Sequence, residues 1–338
     1  MIPISKKHLN AAACLLLVVL TACGQQQTES VTPTDTVSVT APTEQAQAQN
    51  EQAQPPAATP PAAEEDAKLT RLLEDLAGQP GTAGGTWSIG VQPVDAEQCS
   101  AVNSQPMQSA SLIKLFIAGT IAENMQSVQQ AETHAGETEE LLLHMLSESD
   151  NDATNTLVKR LGGGDAQAGM GLVNRFCASH GYQDTSMGRL MLDFAADDDN
   201  YTSVRDCCAF LRDVANGQAA GSVWILDALR QQVRTGKIPA GVPEEVETAN
   251  KTGELTDVEN DAAIIWAPGG TYILCVISNQ LENAEMAREQ IVSISAQIYQ
   301  HYAEAQQNAA FIRVHARRTG IPDRFAPRQQ PAAKCRLL

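Results

Sequence analysis

The residue pattern of this 338-residue chain predicts an α+β fold, an antiparallel sheet packed with a mainly helical lobe. Two observations carry the prediction. Strand-like stretches stand near both ends of the folded region, with helical periodicity between them. Near the end, Ala267-Pro268-Gly269-Gly270 supplies turn chemistry between two apolar runs, and a long helical pattern follows directly.

The elements follow in order. Leu69, Leu72, Leu73 and Leu76 have helical spacing, and Gly78 and Pro80 stop that helix. Trp87-Ser88-Ile89-Gly90-Val91 alternates as a strand, and Val102-Asn103-Ser104 lies on or near the next. After Pro106 comes a helix that is apolar nearly all round: Leu112, Ile113, Leu115, Phe116, Ile117, Ala118 and Ile121. Such a helix belongs in a core. Residues 138–146 form a helix running into Ser147-Glu148-Ser149-Asp150-Asn151, and residues 153–161 form another, stopped by Gly162-Gly163-Gly164. Helices are expected over 173–179, 204–215 and 223–233, with an irregular acidic loop over 181–202 that contains Asp197-Asp198-Asp199. Strands over 246–253, 262–266 and 272–278 precede a closing helix over 285–302.

That region, residues 68–302, reads as one domain with a sizeable core and no internal linker. Before it, Lys6 and Lys7 precede an uncharged apolar run over 11–20, too short to span a bilayer but suited to an export signal. The run ends in Leu20-Thr21-Ala22-Cys23-Gly24, which resembles a bacterial lipoprotein signal. The resemblance implies a signal peptide over 1–22, a lipid on Cys23 and an extracytoplasmic protein anchored to a bacterial membrane. Residues 23–67 read as a disordered spacer: 24–66 carry no Lys, Arg or aromatic residue and are rich in Gln, Thr, Ala, Pro and Glu. Residues 303–338 read as a disordered basic tail containing Arg313, Arg317, Arg318, Arg324, Arg328, Lys334 and Arg336. The cysteines admit two readings, core thiols or at least one disulfide; Cys207 and Cys208 share an apolar helical stripe with Val204 and Leu211.

The apolar helix carries two polar residues, Ser111 and Lys114, three apart and so on one face. A buried lysine is costly unless it is paired or used. Desolvation lowers its pKa, and a neutral amine beside a hydroxyl can take that hydroxyl's proton. The positive end of the helix dipole favours the resulting alkoxide. Ser111 is therefore a candidate nucleophile; the alternative for Lys114 is a snorkelling side chain at a helix margin.

Two tripeptides follow: Ser149-Asp150-Asn151 in an interhelix turn, and Lys251-Thr252-Gly253 at the end of a strand that opens a hairpin. With Ser111-x-x-Lys114 they resemble the motifs of the penicillin-recognising serine enzymes, class A β-lactamases most of all. The likeness spans 68–302 and includes Gln108-Ser109-Ala110, Met145-Leu146 and Glu259-Asn260-Asp261-Ala262-Ala263. It implies a β-lactamase/transpeptidase-like fold, no cofactor, and a monomer acting on a small β-lactam or a peptidoglycan stem peptide. By that resemblance Ser111 is acylated, Lys114 takes its proton and Ser149 passes a proton to the leaving nitrogen. Asn151 holds the substrate's amide side chain, while Lys251, Thr252 and Gly253 form the carboxylate-binding strand. The oxyanion hole is the backbone N–H of Ser111 and Glu254. Asp150 holds the turn, and Asn155 is structural.

The likeness has a gap. Class A enzymes carry a glutamate that activates the deacylating water in the loop after Thr185-Ser186-Met187-Gly188-Arg189. Here Leu190-Met191-Leu192 follows, and Asp193 is the nearest carboxylate. Alternation along an extended segment would put Met191 and Asp193 on one side. The loop and the stretch between Ser111 and Ser149 are short for the family. Three function classes result: a hydrolase opening β-lactam amides through a Ser111 acyl-enzyme with slow deacylation, a D,D-peptidase on stem peptides, or a sensor that binds without turnover. Arg234-Thr235-Gly236 and Arg318-Thr319-Gly320 imitate the third motif, but no strand hairpin follows either. His8, His134, His144, His180, His301 and His315 show no metal-binding spacing, and a net charge of −17 argues against nucleic acid.

Overall fold

The computed structural model describes residues 61–78 and 83–319. The expected signal, Cys23, the spacer up to residue 60 and the tail from residue 320 lie outside the described residues. The elements are α1 (Pro61–Ala77), β1 (Thr86–Pro93), β2 (Ser100–Val102), β3 (Met107–Gln108), α2 (Ile113–Glu123), α3 (Met125–Gln129), α4 (Glu137–Leu143), α5 (Asn151–Leu161) and α6 (Ala166–Ser179). Then come β4 (Ser186–Met187), β5 (Asn200–Thr202), α7 (Val204–Ala215), α8 (Ser222–Arg230), β6 (Thr248–Leu255), β7 (Val258–Ala267), β8 (Gly270–Asn279) and α9 (Ala284–Thr319).

The main sheet is antiparallel with strand order β2-β1-β8-β7-β6. Its central strand β8 is apolar without alternation because both faces are covered. Ile273, Cys275 and Ile277 face the helical lobe, while Tyr272, Leu274 and Val276 face α1 and α9. The α+β architecture expected from the residue pattern, an antiparallel sheet with its helical lobe, is the fold observed.

At the centre of the lobe lies α2, buried from Ile113 through Ile121. Phe116 meets Tyr182 edge-on at 5.2 Å and Phe210 at 5.5 Å between ring centroids. Emptying one such position, as Leu115→Ala would, costs about 2–5 kcal/mol. Cys99, Cys177, Cys207, Cys208 and Cys275 are buried free thiols, which is the core reading of the cysteines.

Four expectations need correction. The loop over 181–202 is not wholly irregular: β4 and β5 pair with β3 in a second small sheet. These strands are two or three residues long, below what periodicity can reveal. The closing helix does not stop at Tyr302 but continues to Thr319, so the first part of the tail is helical. Ala303-Glu304-Ala305 and Ala309-Ala310 are good helix formers, and extending an existing helix needs no new nucleus. At the other end α1 starts at Pro61, within the expected spacer, with proline where its missing N–H costs least. Finally α6 begins at Ala166, capped by Asp165, whose carboxylate accepts from Gln167 and Ala168. Among the described residues no helix is long and apolar enough to cross a membrane.

Candidate active site

Ser111 lies in a single 3-10 turn, residues Ala110–Leu112, that leads into α2. The turn is held from three sides. Ser109 N–H donates to Asn200 C=O at 2.9 Å, and buried Asn260 on β7 donates to the carbonyls of Gln108 (2.9 Å) and Ser109 (3.2 Å). Gly253 of β6 closes the third side: a Cβ there would stand 2.7 Å from Ser109 O and 3.2 Å from Ser111 N. Ala110 is forced to a φ of 46°, a left-handed conformation that L-residues adopt only under constraint. Glycine at 253 therefore brings β6, and with it Glu254, against the backbone of Ser111.

Lys114 is fully buried one turn along α2. Its Nζ donates to Ser149 O at 2.6 Å and to Asn151 Oδ1 at 2.8 Å, and lies 3.2 Å from Ser149 Oγ. Burial, reinforced by the Arg234 charge and opposed by Asp150, pulls its pKa down to about 7. Nζ is thus the donor in all three contacts, two of them to carbonyl oxygens and one to the Ser149 hydroxyl. Lys251 of β6 approaches the same hydroxyl at 2.9 Å and also donates to Thr252 O at 2.9 Å. Its pKa is lowered by burial, then by Lys114 and Arg234.

Ser149 reaches both lysines because it ends a π-type turn (His144–Glu148) with a φ of 62°. Asp150 then caps α5, accepting from Ala153 N at 2.6 Å, which is the turn-holding part the sequence assigns to it. Asn151 turns its oxygen to Lys114, and its amide N–H groups have no partner among the described residues. The Thr252 hydroxyl is buried and has no partner among the described residues. An orphan donor of this kind beside the Lys251 Nζ suits an incoming anion. The structure thus joins Lys114, Ser149, Asn151 and Lys251 in one hydrogen-bonded cluster, with Thr252 next to Lys251 and Gly253 against the Ser111 backbone; the Ser111 hydroxyl makes no hydrogen bond among the described residues.

Asp193 is different. Leu192 has a φ of 65°, which breaks the expected alternation: Met191 is buried and Asp193 is exposed. The Asp193 carboxylate makes no hydrogen bond or ion pair among the described residues. Asn155 Oδ1 accepts from Met191 N at 2.8 Å and its Nδ2 donates to Met191 O at 3.1 Å, so Asn155 is a structural clamp on this loop. The remainder is tied by Arg189 to Asp199 (2.6 Å) and by Asn200 Oδ1, which accepts from Gly188 and Arg189.

One group escaped the sequence reading. Arg234-Thr235-Gly236 lies before a 3-10 turn (Ile238–Gly241), so it is no third motif. Yet Arg234 and Lys237 flank β6: Glu254 pairs with Lys237 at 3.1 Å and Arg234 at 3.5 Å, and Glu259 pairs with Lys237 and Arg288, each at 2.8 Å. The only signal was a cationic pair in an acidic chain, too common a pattern to single out.

The model of the family described as "Beta-lactamase enzyme family" matches residues 129–302, a stretch that includes Ser149, Asn151 and Lys251–Gly253 and begins after Lys114. No curated protein matches. Among solved structures the chain is similar to a β-lactamase from Sphaerobacter thermophilus DSM 20745 (23% identity, 69% of this chain and 97% of that one, TM-score 0.59). It is similar also to PBP-A (22% identity, 70% and 97%, TM-score 0.59). A β-lactamase from Xanthomonas campestris pv. campestris is a third (19% identity, 70% and 98%, TM-score 0.58). These likenesses concern the fold, a β-lactamase/transpeptidase-like one; with the family match over half its length, the chain belongs to the β-lactamase enzyme family.

Proposed function

We propose that the protein is a serine hydrolase that opens β-lactam amides through an acyl-enzyme on Ser111 and releases the acyl group slowly. The observation that carries the reading is the convergence of Lys114 and Lys251 on the Ser149 hydroxyl, beside the orphan Thr252 hydroxyl. Neutral Lys114 takes the Ser111 proton as Oγ attacks the carbonyl carbon. The oxyanion forms against the backbone N–H groups of Ser111 and Glu254. As the C–N bond breaks, the proton passes from Lys114 through Ser149 to the leaving nitrogen. Lys251, Thr252 and Arg234 bind the substrate carboxylate, and Asn151 donates to its amide carbonyl.

Slow release is supported by Met191 and exposed Asp193, since neither offers a held base for a water. The same observation favours a second reading, a D,D-peptidase on peptidoglycan stem peptides or a sensor that stays acylated. Among the fold neighbours, a mutant of PBP-A is described as an acyl-enzyme complex with penicillin G. The lipid on Cys23 and an extracytoplasmic place at a bacterial membrane belong to this proposal and rest on the sequence signal alone.

Intact mass followed over time with penicillin G tests the reading. One adduct on Ser111, absent from Ser111→Ala, is the expected result, and an adduct that survives Ser111→Ala overturns it. Decay over minutes to hours points to slow hydrolysis, whereas a permanent adduct with cleavage of stem peptides points to the peptidase.

A further inference from the structure

Glu254 stands directly after Gly253, two residues from Thr252 and so on the same face of β6. Its carboxylate is about one-third exposed and lies 3.1 Å from Lys237 and 3.5 Å from Arg234. Burial alone would raise its pKa, but Lys237 and then Arg234 outweigh that and hold it below the ordinary range, so it is charged. Lys237 is committed elsewhere as well, to Glu259 and to Asn260 O. Arg234 is not: it is half-exposed, and Glu254 is the one partner of its guanidinium among the described residues. Around this strand edge Lys237, Arg234 and Arg288 pair with Glu254 and Glu259, one cation in excess.

We propose that the Glu254 side chain is a specificity-determining carboxylate that occupies Arg234 in place of a substrate's carboxylate. A substrate bearing a carboxylate must displace it from Arg234, so its advantage over a neutral analogue shrinks. The inference rests on the acyl-enzyme reading above and adds to it the charge class that the cleft prefers. A half-exposed pair at this separation is weak, so the expected effect is about three- to tenfold.

The experiment compares penicillin G with its methyl ester, as second-order acylation constants measured by intact mass. The Glu254 backbone N–H serves both probes, so any change in the oxyanion hole cancels in their ratio. Glu254→Gln raises the acid-to-ester ratio about three- to tenfold if the proposal holds. An unchanged or lower ratio overturns it. Should the glutamine variant fail to fold, Glu254→Ala gives the same comparison. In an Arg234→Gln background the gain from Glu254→Gln disappears; a gain that persists there overturns the proposal, because the carboxylate then acts on something other than Arg234. Adducts with an unchanged ratio refute this inference alone, whereas no Ser111 adduct with either probe refutes the acyl-enzyme reading and this inference with it.

Discussion

Asn155 brackets Met191, accepting from its N–H at 2.8 Å and donating to its C=O at 3.1 Å. A side chain on α5 thus fixes one backbone position of the loop that follows β4, and Met191 is buried there. Such a clamp is the support a general base would need, but the side chain it holds is a thioether.

Met191→Glu follows as a test. A carboxylate at a clamped, buried position is desolvated, which raises its pKa toward the working range of a base. We expect deacylation about tenfold faster or more, within the hundred- to ten-thousand-fold that general-base catalysis typically supplies. Decay of the penicillin adduct in a single-turnover mass experiment reads this directly. Asp193→Asn, at an exposed and unheld carboxylate, should change the decay less than about twofold.

Lys251→Ala should lower acylation by penicillin G by about a hundredfold or more, since in the proposed reading Lys251 binds the substrate carboxylate, and its loss also leaves Ser149 Oγ and Thr252 O without this donor. Arg234→Ala, at a half-exposed guanidinium, should cost about tenfold at most. Acylation rates of the two variants rank them. Arg234 as the more damaging loss would mean that the carboxylate is held outside β6.

The parts of this site that could be read from the chain are those where identity and spacing act locally. Ser111 and Lys114 lie one helical turn apart whatever surrounds them, and Gly253 is required because β6 packs on the Ser109 carbonyl. Other parts depend on contacts distant in sequence. The clamp from Asn155 spans 36 positions, Asn260 reaches back 152 to hold the turn before Ser111, and Arg234 meets Glu254 only because the chain folds along the sheet edge. The left-handed φ of Leu192, which turns Asp193 outward, carries no glycine or asparagine to announce it.

Gly119→Ala should destabilise the protein although alanine is the better helix former. A Cβ at 119 would stand 2.6 Å from the Phe176 ring and 2.8 Å from the Phe210 ring, in the middle of the aromatic cluster around Phe116. Overpacking of this kind typically costs about 1–3 kcal/mol, against roughly 1 kcal/mol gained in helix propensity. The melting temperature should fall by several degrees, while Gly136→Ala, with open space at its Cβ but a φ of 86°, reports backbone strain alone.

The pH profile of acylation tests Lys114 as the base. Burial holds its pKa at about 7, with Arg234 adding to the depression and Asp150 opposing it. Below about pH 7 the amine is mostly protonated and cannot take the Ser111 proton, so the rate should fall about tenfold per unit as pH drops. Above about pH 8 it should level off. The linkage runs in the same direction: the unfolded lysine keeps its proton to pH 10.5 whereas the folded one releases it at about 7, so this group's contribution to stability rises with pH across that window. Arg234→Gln removes a repelling charge, raises the Lys114 pKa and should move the acylation limb to higher pH. Stopped-flow acylation between about pH 5.5 and 9 brackets the limb on both sides and measures both effects. A limb that stays in place without Arg234 would show that its charge does not reach Lys114.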